Sequence, residues 1–223
     1  MSLEDDVDFV INREPRCPCV LLLDVSGSMS GEPINALNQG LISLHEDVMK
    51  DALAPQRMEI AIVTFGGSVS IVQDFVTMDN FIPPTLTVFG ATPMGEAILK
   101  GIDMVTERKQ KYKESGLAYY RPWLFLITDG SPTDRHNIPK ASQLLKAQEE
   151  KKGLVFFSVG VNKDADFNTL RELSNRPPMS LKGLCFAELF QWLSASMSSV
   201  ANSKPSDEKI SIAKPQDYNW VEI

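Results

Sequence analysis

Two short apolar runs that each stop at an aspartate constrain this chain more than any other feature. Cys19-Val20-Leu21-Leu22-Leu23 ends at Asp24, and Trp123 to Thr128 ends at Asp129. Continuous apolar runs of strand length, without polar alternation, suit strands covered on both faces, and that environment arises where helices flank a parallel sheet. The stretches between the runs supply such helices. After a loop rich in Ser and Gly, Pro33 stands where a first helical turn tolerates it, and Ile34, Leu37, Leu41, Leu44 and Val48 recur at helical spacing. His45 follows Leu44 and reads as a flanking side chain.

Further along, Met58 to Phe65 reads as a second strand, and Gly66-Gly67 turns the chain into a third through Val69, Ile71 and Val72, which predicts an antiparallel hairpin. Ile98, Ile102 and Val105 form the stripe of a helix from Glu96 to Lys113. The same alternation predicts a helix at 138–152, a strand at 154–161, a short helix at 167–173, a strand near Leu184 to Phe186 and a last helix carrying Phe190, Leu193 and Met197. Phe190 and Trp192 are expected in the core. From Asn202 onward the chain is polar with two prolines and is expected to be loosely held. These divisions give an N-terminal extension at 1–16, a domain at 17–201 and a C-terminal tail at 202–223. Strands alternating with helices imply an α/β fold with a mainly parallel sheet, and ligands of such sheets bind beyond the carboxyl ends of the strands.

Charge excludes one class of partner. With 22 Lys and Arg against 29 Asp and Glu, a net charge of -7 disfavours nucleic acid bound through a global positive field. The basic pairs Arg108-Lys109 and Lys151-Lys152 are expected on solvated helix faces. Three cysteines in 223 residues argue against a disulfide scaffold and for a reducing compartment. Cys17 and Cys19 fall on one face of a strand and are expected to be buried thiols. Met1 to Arg16 is acidic and lacks the apolar core of a signal peptide, and no segment has the length of a membrane helix, so a cytoplasmic protein without membrane contact is expected.

The loops after the two aspartate-ended runs are rich in oxygen. Asp24-Val25-Ser26-Gly27-Ser28 places a carboxylate and two hydroxyls within five residues, Gly90-Ala91-Thr92-Pro93 adds a hydroxyl, and Ile127-Thr128-Asp129-Gly130-Ser131 adds a second carboxylate. Hard oxygen donors of this kind suit a small divalent cation in an octahedral shell. Any one of these loops is equally an ordinary turn or helix cap. Their combination is what points to a metal.

Asp24, Ser26, Ser28, Thr92 and Asp129 match, in order, the Asp-x-Ser-x-Ser, Thr and Asp of the metal-ion-dependent adhesion site, so the chain resembles the von Willebrand factor A domain family over roughly Pro18 to Val200. Gly90-Ala91-Thr92-Pro93-Met94-Gly95-Glu96 and Phe190-Gln191-Trp192-Leu193-Ser194-Ala195-Ser196 look most like stand-alone bacterial proteins of the tellurium-resistance TerY type. The resemblance implies a Rossmann-like, doubly wound sheet of six strands in the order 3-2-1-4-5-6, with one antiparallel edge strand and helices on both faces. It also implies that Ser26 and Ser28 coordinate the ion directly, Thr92 directly or through water, and Asp24 and Asp129 mostly through water and hydrogen bonds. The implied cofactor is Mg²⁺, with Mn²⁺ or Ca²⁺ as alternatives.

The expected function is a metal-dependent interaction module, in which a protein partner offers a Glu or Asp to the ion. The resemblance further suggests a bacterial tellurite or stress response, with kinase-like or phosphatase proteins encoded nearby as associates. The alternative is a Mg²⁺-dependent hydrolase or phosphatase on the same kind of sheet. That chemistry wants a second aspartate two residues after the first, where Ser26 stands. Met29 occupies the nucleophile position of Gly27-Ser28-Met29-Ser30-Gly31, and no phosphate loop or dinucleotide fingerprint occurs, so no catalysis is expected. Asp129 is expected to face the solvent crevice, Asp134 to cap the helix that follows it, and Asp164 and Asp166 to lie in a solvated turn.

Overall fold

The computed structural model describes residues 9–163, 165–207 and 210–222. Seven strands form one sheet in the order β3-β2-β1-β4-β5-β6-β7. They are β1 (Cys17–Asp24), β2 (Met58–Gly66), β3 (Ser68–Thr77), β4 (Trp123–Thr128), β5 (Val155–Val161), β6 (Met179–Leu181) and β7 (Val221–Glu222). β1, β2, β4, β5 and β6 run parallel, whereas β3 and β7 are antiparallel at the two edges. The expected Rossmann-like order is therefore present, with one strand more than expected and a second antiparallel edge. The helices are α1 (Glu32–Val48), α2 (Ala54–Arg57), α3 (Met94–Glu114), α4 (Ile138–Glu150), α5 (Phe167–Leu173) and α6 (Phe186–Ala201).

Side chains of β1 are buried throughout and alternate between two cores. Cys19, Leu21 and Leu23 join α1 and α6 through residues such as Leu37, Leu41, Phe190 and Leu193. Val20 and Leu22 join α3, α4 and α5 through Ile98, Val105, Leu145 and Leu170. A strand with both faces covered has no polar side to show, which is why its sequence reads as an unbroken apolar run. Phe190 and Trp192 are fully buried, as expected. Cys17 and Cys19 lie in the same core, and burial, followed by the nearby Glu59 charge, pushes the Cys17 thiol up to about 12.

Three expectations change. The strand expected near 184–186 lies instead at Met179–Leu181, paired with Val159–Val161 of β5, and Phe186 is already the first residue of α6. The apolar cluster Leu184-Cys185-Phe186 is a helix entrance packing into the core, and a run this short cannot be assigned by periodicity alone. Arg108 is not on a solvated face, being only 5% exposed and paired with buried Glu59. Finally, the segment after Asn202 is docked. Trp220 is fully buried and β7 pairs with β6, with Val221 opposite Leu181. Asp164 lies outside the described residues.

Candidate metal centre

In this strand order the connection after β1 runs to β2 on one side and the connection after β4 runs to β5 on the other, opening a crevice between the carboxyl ends of β1 and β4. β1 ends at Asp24 and β4 at Thr128, so the loops that follow both strands enter that crevice.

Asp24 is fully buried, and both of its oxygens are used. Oδ1 accepts the Ser26 N–H at 2.8 Å, which folds the loop back on itself, and Oδ2 accepts the Thr128 hydroxyl at 2.5 Å, which joins the ends of β1 and β4. Burial raises the pKa of this carboxyl, hydrogen bonds from Ser26 and Thr128 oppose the rise, and the neighbouring Asp129 charge adds to it. Two carboxylates held together in a shielded place are a charge arrangement that a cation relieves.

From Ser26 the polar atoms form a continuous chain. Ser26 Oγ stands 3.1 Å from Ser28 Oγ, and the Ser28 hydroxyl donates to Asp129 Oδ1 at 2.7 Å. Thr92 borders this cluster, since the point where a Cβ on Gly130 would sit lies 3.7 Å from Thr92 Oγ1 and 3.8 Å from Ser28 Oγ. Ser26, Thr92 and Asp129 are buried, whereas Ser28 is exposed, so the cluster opens to solvent at Ser28. Asp129, expected to face the solvent crevice, is only 4% exposed, and its carboxylate is turned onto the exposed Ser28.

The donor set fits a small hard cation. Adjacent corners of an octahedron with bonds of about 2.1 Å are about 3 Å apart, close to the 3.1 Å between the two serine hydroxyls. Among the described residues no group of three or more His, Cys, Asp or Glu is placed to hold a metal, so a cation here would rest on hydroxyls, with the two carboxylates as anionic support.

Loop positions are set by backbone hydrogen bonds. Gly27 N–H donates to Gly90 O at 3.0 Å, Phe89 N–H to Val25 O at 2.7 Å and Gly67 N–H to Ala91 O at 2.7 Å. A Cβ on Gly66 would come within 2.6 Å of Phe89 O and Val25 O, so the hairpin turn is glycine for close approach as well as for the positive φ of Gly67.

Thr128 escaped the sequence reading, and Asp134 acts on a different helix from the one expected. Thr128 lies inside the apolar run, and nothing local distinguishes its hydroxyl from that of any strand threonine. Asp134 was expected to cap the helix after it, but its Oδ1 accepts Gly95 N–H at 3.0 Å and its Oδ2 accepts Glu96 N–H at 2.7 Å, so it caps α3 from a distance. Thr133 N–H meanwhile donates to Thr92 O at 2.9 Å, clasping the Thr92 loop to the β4 loop. Asp134→Ala is therefore expected to cost about 1 kcal/mol for the lost cap, and also to diminish the rise in melting temperature on adding Mg²⁺, because the α3 entrance that follows Thr92 loses its anchor. Thermal unfolding with and without Mg²⁺ checks both. Asp166 likewise is a cap, accepting Thr169 N–H at 3.1 Å and the Arg135 guanidinium at 3.0 Å, and these bonds lower its pKa against the raising effect of partial burial.

The profile of the von Willebrand factor type A domain matches residues 19–188. The inter-alpha-trypsin inhibitor heavy chain H1 of Mesocricetus auratus is 26% identical over 166 residues, covering 70% of this chain and 17% of that protein. Among solved structures, manganese-loaded TRAP protein of Plasmodium vivax superposes with a TM-score of 0.53 at 16% identity, covering 79% of this chain and 73% of that one. Proximal thread matrix protein 1 from the mussel byssus, with a zinc-occupied metal-ion-dependent adhesion site, does so with a TM-score of 0.52 at 18% identity, covering 86% and 46%. This chain thus spans less than half of the mussel protein and a small part of the hamster one. With its sheet order, the crevice at the strand ends and a family match over most of its length, the chain belongs to the von Willebrand factor type A domain family.

Proposed function

We propose that this domain captures a protein partner through a divalent cation held by Ser26, Ser28 and Thr92 and supported by Asp24 and Asp129, with an Asp or Glu of the partner completing the shell. The observation that carries this reading is the hydroxyl pair Ser26 Oγ and Ser28 Oγ, 3.1 Å apart at the open end of the cluster. Neutral ligands leave the charge of a bound cation poorly quenched and hence attractive to an incoming carboxylate. The chain's own residues do the rest. Asp24 fixes the Ser26 backbone, Thr128 fixes Asp24, and Asp129 orients the Ser28 hydroxyl.

Hard oxygen donors favour Mg²⁺, with Mn²⁺ or Ca²⁺ as substitutes. The manganese named for one structural relative and the zinc-occupied adhesion site named for the other support a divalent ion. We read the domain as a binding module and not an enzyme, because Ser26 stands where an acid catalyst would be needed. Free cysteines, two of them buried, support a reducing compartment such as the cytoplasm. The motif likeness to TerY-type proteins supports a bacterial tellurite or stress-response setting, with kinase-like or phosphatase proteins as associates.

Capture from native lysate in Mg²⁺, with and without EDTA, tests the reading. Partner proteins should be retained in Mg²⁺ and released by EDTA; retention indifferent to EDTA would refute it. Asp129→Ala should fold normally yet bind Mg²⁺ about 10–100-fold more weakly, as expected when a carboxylate orienting a ligand is removed. Stabilisation by Mg²⁺ grows as RT ln(1 + [L]/Kd), so the variant's melting temperature should rise less than that of the wild type at equal Mg²⁺. An undiminished rise would remove Asp129 from the site.

A further inference from the structure

Residues 81–93 cross the surface without helix or strand, yet they are fixed in place. Phe81 meets His45 edge-on, and the Asn38 side chain holds both the N–H and the C=O of Leu86, at 2.8 and 3.0 Å. His45 and Asn38 are seven residues apart on α1, about 10 Å of helix. The segment therefore climbs α1 toward its amino end, where the Asp24–Ser28 loop lies. At the top it is fastened by the three backbone bonds through Phe89, Gly90 and Ala91 already described.

Phe81 and Leu86 point inward and are buried, whereas Phe89 is 72% exposed. Its ring lies over the hairpin turn, since a Cβ on Gly67 would approach Cδ1 and Cε1 to 2.6 Å. Of the exposed large apolar side chains among the described residues, Phe89 alone belongs to a loop that builds the candidate metal centre; Ile82, 80% exposed, lies at the far end of the climb, beside Phe81. An aromatic ring left in water on a loop whose backbone is bonded to Val25 and Gly27, the residues flanking Ser26, offers apolar contact without a backbone ordering cost.

We infer that Phe89 is the specificity-determining contact of this site: the partner segment that brings a carboxylate to the cation also lays an adjacent apolar side chain on the Phe89 ring. This rests on the metal-dependent reading above. The net charge of -7 supplies no overall attraction for an acidic partner, so long-range attraction does not select among acidic segments. Selection then falls to short-range contacts, and buried aromatic anchors beside a central polar contact are where binding energy concentrates. The partner is thus a protein segment in which Asp or Glu neighbours Leu, Ile, Phe or Trp.

A displayed library of random peptides with a fixed central Glu, panned on the whole chain in Mg²⁺ and eluted with EDTA, tests this. The wild type should enrich large apolar residues at a constant offset from the Glu. Phe89→Ser should keep EDTA-eluted acidic peptides but lose that preference, and should bind a wild-type-selected peptide about tenfold more weakly. Ile82→Ser should behave as wild type, and Phe89→Leu, which keeps an apolar side chain, should retain the preference. Acidic peptides without apolar enrichment, or enrichment that survives in Phe89→Ser, would overturn the role of Phe89 and leave the metal reading standing. Failure to recover any EDTA-eluted acidic peptide would remove the metal reading and this inference with it.

Discussion

Glu59→Ala is expected to destabilise the fold by about 3–5 kcal/mol, the usual range for removing one partner of a buried ion pair. Glu59 is 1% exposed at the second position of β2. Its Oε1 accepts Arg16 Nε and Arg108 Nη2, both at 2.9 Å, and its Oε2 accepts Arg108 Nε at 2.8 Å and the Tyr112 hydroxyl. Arg16 and Arg108 are themselves buried, so one carboxylate serves two guanidiniums where water cannot replace it. Burial, then the Glu59 charge, raises the pKa of Tyr112 well above its ordinary value, which keeps the phenol a donor to that carboxylate.

The same cluster holds the start of the described chain. Arg16 also donates to Glu14 O at 2.5 Å and Asn12 O at 2.8 Å, and the Arg108 guanidinium lies 4.8 Å from the centre of the buried Phe9 ring. Glu59→Ala should therefore expose the segment before Arg16 to protease as well as lowering the urea midpoint. Because the cluster sits at the amino ends of β1 and β2, the pole opposite the metal centre, the increment from added Mg²⁺ should match that of the wild type. A loss below about 1 kcal/mol would show that Arg16 and Arg108 are neutralised by other groups.

Trp220→Ala is expected to cost about as much, 3–5 kcal/mol, through lost burial and the cavity left behind. Trp220 is fully buried with its ring centre 5.3 Å from that of Trp192, whose Nε1 in turn donates to Ala213 O at 2.8 Å. Trp192 also meets Phe125 and Phe157, so the C-terminal segment caps an aromatic cluster that reaches the middle of the sheet. Lys182 N–H donates to Trp220 O at 2.8 Å, the start of the β6–β7 pairing, and loss of the ring should free this short edge strand too. Trp220→Phe should cost much less. It keeps an aromatic ring, and Trp220 Nε1 has no hydrogen-bond partner among the described residues to lose. Chemical denaturation orders the variants; equal losses in both would show that the tail is held by something other than the ring.

The two large effects and the metal centre were unequally legible in the sequence. The Asp24–Ser28 loop, Thr92 and Asp129 were readable because each demand there is local: a strand that must end, a turn that must follow it, an oxygen at a set spacing. The central strands were readable for a related reason, since burial on both faces removes polar residues from every position of a run. The strand Met179–Leu181 was not, because a three-residue strand is too short to show a period.

By itself, then, the sequence determined an α/β sheet with hydroxyls and carboxylates at the ends of β1 and β4. It determined these because hydrophobic period and turn chemistry act between residues a few positions apart. Only the tertiary structure decided that Arg108 lies buried on Glu59, 49 residues away, that Asp134 caps a helix 39 residues before it, and that the polar tail buries Trp220. A charged or amphipathic side chain can be solvated or buried with equal local consistency. Which outcome wins depends on whether a distant part of the chain brings a partner of the right charge or shape, and that is set by how the sheet is ordered, not by neighbours in sequence.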